Sequence, residues 1–292
     1  PPRSTLFPYT TLFRSCVMIY LTVLYIEFMP IVTERFMNKV NMPGFLKLLN
    51  KPLNFILKIM DKALAKTMFI FIIAGVVLST LHQSSLGTLM VIAGEKMHPL
   101  WQTPVLPLLF FLSAIAVGFP MVIFESYLAS RSFRLQPETK LLKKLGNMVA
   151  PILFIYLAFK LGDMFIRETF VYLYDFNLQS GMFIIEVVVG VILPLAMFLT
   201  KRVMKSLPLI FTASALVIFG VVINRINNFV IAYKPPYNEG AYIPSFGEIS
   251  VTLGFVALLI LLYRAFVMIF PVISIKKKNN NKTVRNNIAE EI

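Results

Sequence analysis

Thr67-Met-Phe-Ile-Phe-Ile-Ile-Ala-Gly-Val-Val-Leu-Ser-Thr80 is an apolar run that passes without a break into Leu81-His-Gln-Ser-Ser-Leu-Gly87. Glu95-Lys-Met-His-Pro-Leu-Trp101 follows a few residues later. Together the run and its polar end exceed the roughly 20 residues that a helix needs to cross a bilayer. A barrel strand would be half that length, and an open strand or loop could not face lipid, so the segment reads as a transmembrane helix. A histidine, a glutamine and two serines at its end are costly at membrane depth, and such residues mark a pathway or a site.

The rest of the chain has the same character. Hydrophobic residues make up 58% of 292, charged residues 14%, and the mean hydropathy is +0.77. A soluble globule is about half apolar and about a quarter charged, so this composition describes a polytopic membrane protein. The net charge of +14 does not point to nucleic acid, because the basic residues sit between apolar segments, as in the loops on the cytoplasmic side of a membrane protein. One cysteine, Cys16, excludes a disulfide framework and a self-contained iron–sulfur cluster, which takes about four thiolates.

Seven apolar spans are expected at about 16–32, 67–92, 104–128, 147–173, 181–200, 207–232 and 249–272. Residues 1–15 lack an initiating Met, repeat Thr-Leu-Phe and read as a non-native, adapter-derived stretch rather than a signal peptide. The transmembrane domain is therefore placed at 16–272. The connection 33–66 carries Phe45, Leu48, Leu49, Leu53, Ile56 and Leu57 at helical spacing between lysines, the pattern of an interfacial amphipathic helix. The basic, Asn-rich tail 273–292 reads as disordered.

Charge asymmetry orients the bundle. Arg35, Lys39, Lys47, Lys51, Lys58, Lys62 and Lys66 lie between the first two spans, Arg131, Arg134, Lys140, Lys143 and Lys144 in the third connection, and Lys201, Arg202 and Lys205 in the fifth. The alternate connections hold only Lys96, Arg167 and Lys234. The positive-inside rule places the first set and the C-terminus in the cytoplasm.

Polar residues inside the spans then fall into two groups. His82, Gln83, Arg225 and Asn228 are donors in the outer half, where Asn224 and Asn228 share a helix face. Lys160 and Asp163 stand one turn apart and could neutralise each other, and Glu186 opens the fifth span. Glu27 and Glu125 lie towards the inner side. A quinone head group asks for this set: two carbonyl oxygens to be hydrogen-bonded, then protonated as two electrons arrive. His82, Gln83, Arg225 and Asn228 are the expected quinone-binding residues, and Glu27, Glu125 and Asp163 the expected proton-transfer residues. A bis-histidine haem needs two intramembrane histidines, and the chain has only His82 and His98, the latter in a connection beside Pro99. The cofactor expectation is thus a quinone, menaquinone or ubiquinone, as substrate, with no haem and no metal of its own.

The run Leu81-His-Gln-Ser-Ser-Leu-Gly-Thr-Leu-Met90 and Met97-His-Pro-Leu-Trp101 resemble the membrane subunits of respiratory nickel–iron hydrogenases, the HybB type of the NrfD/polysulfide-reductase family. Tyr25-Ile-Glu-Phe28, Phe124-Glu-Ser126, Asn224-Arg225 and Pro244-Ser-Phe-Gly-Glu248 are similar as well, and the similarity runs from about 17 to 272. The resemblance implies a haem-free helical bundle in the bacterial inner membrane. It would pass electrons between a periplasmic ferredoxin-like iron–sulfur subunit, fed by nickel–iron hydrogenase subunits, and the quinone pool; some members are proposed to couple this to proton movement. Members of the family have eight or more spans, so seven after an artefactual start fit the loss of the first helices. Three other readings stay open: a membrane subunit for a molybdopterin or multihaem partner, a solute or ion transporter, and a plain anchor whose buried charges only pair.

Overall fold

The computed structural model describes residues 7–36, 50–132, 139–175, 177–233 and 244–269. Residues 1–6 of the expected adapter stretch, 37–49 of the expected amphipathic connection and the tail 273–292 lie outside them.

The architecture is all-α. Seven helices are long and apolar enough to cross a membrane: α1 (Phe7–Phe36), α2 (Asn50–Ala93), α3 (Leu106–Ser132), α4 (Thr139–Ile166), α5 (Leu178–Leu199), α7 (Leu207–Ile231) and α8 (Phe246–Ile269). A single-turn helix, α6 (Lys201–Lys205), joins α5 to α7. All seven expected spans are present. The lysine-rich residues 50–66 form the first part of α2, continuous with its span. No glycine or proline falls between Leu53 and Ala74, so nothing in the backbone interrupts the helix there.

By their internal contacts the residues form two units. The larger takes in 1–21 and 73–243, and its centre is the bundle of α3, α4, α5 and α7. Lipid offers no hydrophobic drive between helices, so close approach through small residues has to hold such a bundle together. Ala116, Ala150, Ala213 and Ser214 are buried at these contacts. Gly190 of α5 and Gly220 of α7 make the tightest one: a Cβ built on Gly220 would stand 2.3 Å from the Gly190 Cα. Around them Ile123, Leu142, Val149, Leu153, Ile210 and Val217 fill the core. At the lysine-poor end a second core gathers Met97, Leu100, Trp101, Phe110, Phe183 and Ala232.

Two helices of this unit are locally widened. Val188–Ile192 in α5 and Asn227–Ile231 in α7 are π-helical turns, a feature frequent at functional sites because it redirects side chains and frees backbone groups. The connection after α2 is fixed to the end of α7 by an antiparallel bridge between Met97 and Tyr233 and by the His98 amide donating to the Ala232 carbonyl at 2.8 Å. Glu168, in the left-handed conformation at φ 54°, ends α4.

The smaller unit takes in 22–72 and 244–292. Pro30 interrupts the backbone ladder of α1, and the Thr33 hydroxyl donates to the Pro30 carbonyl at 2.9 Å. Phe28 meets Phe266 edge to face, with centroids 5.5 Å apart. The side chains of α8 described are apolar and exposed almost throughout.

Candidate functional site

Glu186 is the centre of the polar residues in the larger unit. It lies on α5 two residues before the π-turn and is 1% exposed. Four groups donate to its carboxylate. The Lys160 ammonium on α4 pairs with Oε1, and Asn224 Nδ2 on α7 donates to the same oxygen at 2.7 Å. Trp101 Nε1 and Asn227 Nδ2 donate to Oε2 at 3.0 and 2.7 Å. Asn224 and Asn227 are three residues apart on α7 and so on one helix face, and each reaches one oxygen of the same carboxylate.

Arg225 extends the cluster towards α3. Its guanidinium donates to Asn224 Oδ1 at 2.6 Å and to Ser113 Oγ at 2.8 Å, and lies 3.8 Å from the centre of the Phe110 ring. Those partners are neutral. Lys160 and Glu186 cancel, as do Asp163 near the end of α4 and Arg167 just beyond it, whose side chains are 2.8 Å apart. The cluster therefore keeps one positive charge, that of Arg225, with no carboxylate paired to it among the described residues.

Asp163 also accepts from Thr103 Oγ1 at 2.8 Å, and Arg167 donates to the carbonyls of Pro99 and Gln102. The connection 97–105 is thereby tied to the end of α4. His98 serves the same connection: its Nδ1 accepts from the Leu100 amide at 3.3 Å, and its ring packs edge-on against Trp101 and Tyr172.

Two small cavities touch the cluster. One of about 20 Å³ is lined by Trp101, Thr103, Lys160, Asp163, Arg167 and Asn224 among others. The second, of about 10 Å³, is lined by Ser113, Tyr156, Glu186, Gly190, Gly220 and Asn224 among others. Each is of the size that holds about one water, and each offers polar partners for it. Neither holds a quinone ring.

The residues expected from sequence are distributed as follows. Arg225 and Asn228 are brought together through Asn224, to whose backbone carbonyl Asn228 Nδ2 donates at 2.7 Å; Asn228 is wholly buried. Asp163 lines the cavity beside Lys160. Lys160 and Asp163 do not neutralise each other: Lys160 crosses to Glu186, and Asp163 takes Arg167 one turn further on. His82 and Gln83 are half-buried on α2, outside the lining of either cavity. Glu125 is exposed on α3 near its lysine-rich end. Glu27 belongs to α1 in the other unit and is half-buried. Trp101, Asn227 and Arg167 carry no role that the sequence alone assigns, and Glu186 stands out there only as the carboxylate that opens the fifth span.

The sequence model described as "Polysulphide reductase, NrfD" matches residues 4–233. The "Probable Ni/Fe-hydrogenase 2 b-type cytochrome subunit" of Escherichia coli (strain K12) is 30% identical over 269 residues, covering 91% of this chain and 63% of that protein. A protein of Nitratidesulfovibrio vulgaris (strain Hildenborough) is 32% identical over 267 residues, covering 88% and 63%. The chain thus spans somewhat under two thirds of the length of these relatives.

The Escherichia coli name overturns one expectation, that the protein works without haem: that relative is called a b-type cytochrome subunit. The sequence argument counted histidines in one chain, and such a count bounds only a haem whose two axial ligands both come from that chain. The cavities at the cluster are too small for a macrocycle. His98 is enclosed by Trp101 and Tyr172, and neither cavity at the cluster is lined by a histidine or exceeds the volume of a few atoms. With a bundle of membrane-crossing helices, the charged cluster inside it and a sequence match over most of its length, the chain belongs to the NrfD family of polysulphide-reductase membrane proteins.

Proposed function

We propose that this chain is the quinone-reactive membrane subunit of a hydrogenase-type respiratory complex in the bacterial inner membrane. A partner iron–sulfur subunit on the periplasmic side, itself served by nickel–iron hydrogenase subunits, exchanges electrons with it. The observation that carries the reading is the Glu186–Lys160–Asn224–Arg225 cluster: charged, buried at membrane depth, bordered by water-sized cavities and positive by one charge. Polar groups in such a position are retained for function.

Reduction of a quinone takes two electrons and two protons, one proton to each carbonyl oxygen. Charge accumulates on those oxygens before the protons arrive, and a nearby unpaired guanidinium lowers the energy of that charged form. Arg225 is the residue for this task, held by Asn224 and Ser113. Asn228 steadies it indirectly by fixing the Asn224 backbone. The quinone ring itself is assigned to the half-buried His82–Gln83 face of α2, because the cavities at Glu186 are too small for it. Asp163, accepting from Thr103 beside the larger cavity, passes protons through a water there. Glu125 and Glu27 are the carboxylates proposed to take protons up from the cytoplasm.

The test is hydrogen-dependent quinone reduction by the full-length natural complex, beside reduction of a soluble dye that draws electrons from the hydrogenase directly. His82→Ala and Arg225→Gln should each lower quinone reduction at least 10-fold with the dye rate unchanged. Normal quinone rates in both variants would refute the assignment.

A further inference from the structure

At the lysine-rich end of the same bundle, away from the cluster, α4, α5 and α6 enclose a cleft of about 800 Å³. Its volume is in the range of pockets that take a whole ligand. The walls are Ala150, Pro151 and Phe154 of α4 and Leu195, Phe198 and Leu199 of α5. Phe154 and Leu199 are 63% and 69% exposed, so the apolar wall is open to its surroundings. The rim carries Lys143 and Asn147 on one side and Lys201 and Lys205 on the other. No carboxylate lines the cleft, and none of the three lysines has a carboxylate partner among the described residues.

The sequence explains why this end is built so. Thr200 and Ser206 are both extended, and between them Lys201–Lys205 make the single turn α6. Lys201 and Lys205 are four residues apart, so both fall on the face of that turn that borders the cleft. Met204 of the same turn packs 3.1 Å from the position a Cβ on Gly146 would take, which seats α6 against α4.

We infer that this cleft is a binding site for an anionic phospholipid, with the phosphate among Lys143, Lys201 and Lys205 and an acyl chain along Phe154 and Leu199. Charge complementarity selects the ligand. Three cations without a carboxylate partner among the described residues attract a phosphate, and basic pockets between helices at the membrane surface take acidic head groups. The apolar wall distinguishes the lipid from free phosphate, which would leave Phe154, Phe198 and Leu199 uncovered. The site is independent of the quinone reading, since it shares no residue with the cluster.

The experiment uses the purified full-length protein, delipidated in a neutral detergent, with thermal unfolding followed as lipid is added. Phosphatidylglycerol should raise the midpoint saturably, while phosphatidylcholine and inorganic phosphate should not. Each lysine near a membrane surface contributes about a five-fold factor. Lys143→Gln/Lys201→Gln/Lys205→Gln should therefore weaken phosphatidylglycerol binding on the order of 100-fold. Arg131→Gln/Lys140→Gln/Lys144→Gln removes the same charge from outside the cleft and should weaken it far less. Equal stabilisation by phosphatidylcholine, equal stabilisation by free phosphate, or equal losses in the two triple variants would each overturn the inference. The wild-type comparison of the two lipids stands even if a variant fails to fold.

Discussion

Replacing Lys160 by Met tests the centre of the cluster. The substitution keeps the apolar stem of the side chain but removes the cation, leaving Glu186 with Trp101, Asn224 and Asn227 as donors. Glu186 is 1% exposed and Lys160 6%, so bulk water does not take over the lost partner. Breaking a buried pair at one end costs about 3–5 kcal/mol, because the remaining charge stays buried. Against a stability of about 5–15 kcal/mol for a domain, that is a large fraction. Glu186→Gln strands Lys160 in the same way and should cost a similar amount. The two losses share a cause, so the double variant Lys160→Met/Glu186→Gln should fall short of their sum by about 2–3 kcal/mol, within the range seen for contacting pairs. Unfolding in mild detergent, by heat or by added denaturing detergent, measures all four corners. The reasoning is refuted if the cycle is additive within about 0.5 kcal/mol, or if Lys160→Met couples to Asp163→Asn instead, as the pairing of neighbours along α4 would require.

Other outcomes follow from the same geometry. Gly220→Ala places a methyl 2.3 Å from the Gly190 Cα, backbone against backbone, so α5 and α7 must separate; a loss of about 1–3 kcal/mol is expected, read as a lower unfolding midpoint, while Gly118→Ala, where nothing lies within 4 Å, should leave the midpoint nearly unchanged. Trp101→Phe keeps the packing against Phe183 but deletes one donor to Glu186, and should cost about 1.5–3 kcal/mol, the range for a hydrogen bond to a charged group. Arg225→Lys retains the charge without the fork that bonds Asn224 and Ser113; its quinone rate should stay well below wild type, and full recovery would show that charge alone suffices.

The fold was legible because membrane helices announce themselves one at a time. Thr67–Thr80 is apolar enough to be read without knowing its neighbours, and the remaining spans yield to the same test of length and composition. The boundary of α2 was less accessible: lysines at 51–66 look interfacial, but helix propensity does not stop at a charge, and the helix runs on from Asn50. For the candidate site, residue type was readable and partnership was not. Lys160, Asp163, Glu186, Asn224 and Arg225 all stand out as polar residues in apolar runs. Spacing pairs Lys160 with Asp163, its neighbour along α4; the bundle pairs it with Glu186, 26 residues away. That choice depends on how α4 and α5 face each other, which no local pattern encodes. Asn227 carries no signal of its own: it shares a helix face with Asn224, and that this face meets Glu186 depends on how α5 and α7 pack. The haem expectation failed for a different reason: a count of histidines bounds only a haem whose two axial ligands both come from the counted residues, and the Escherichia coli relative is named a b-type cytochrome subunit.

The most direct test of the account is hydrogen-driven quinol formation by the complex purified through the full-length natural form of this chain. The account predicts that nickel–iron hydrogenase and iron–sulfur subunits co-purify with it, and that quinone is reduced at the expense of hydrogen only when this subunit is present. Co-purification of a molybdopterin or multihaem partner in their place, or an equal quinone rate from the hydrogenase without this chain, would contradict it.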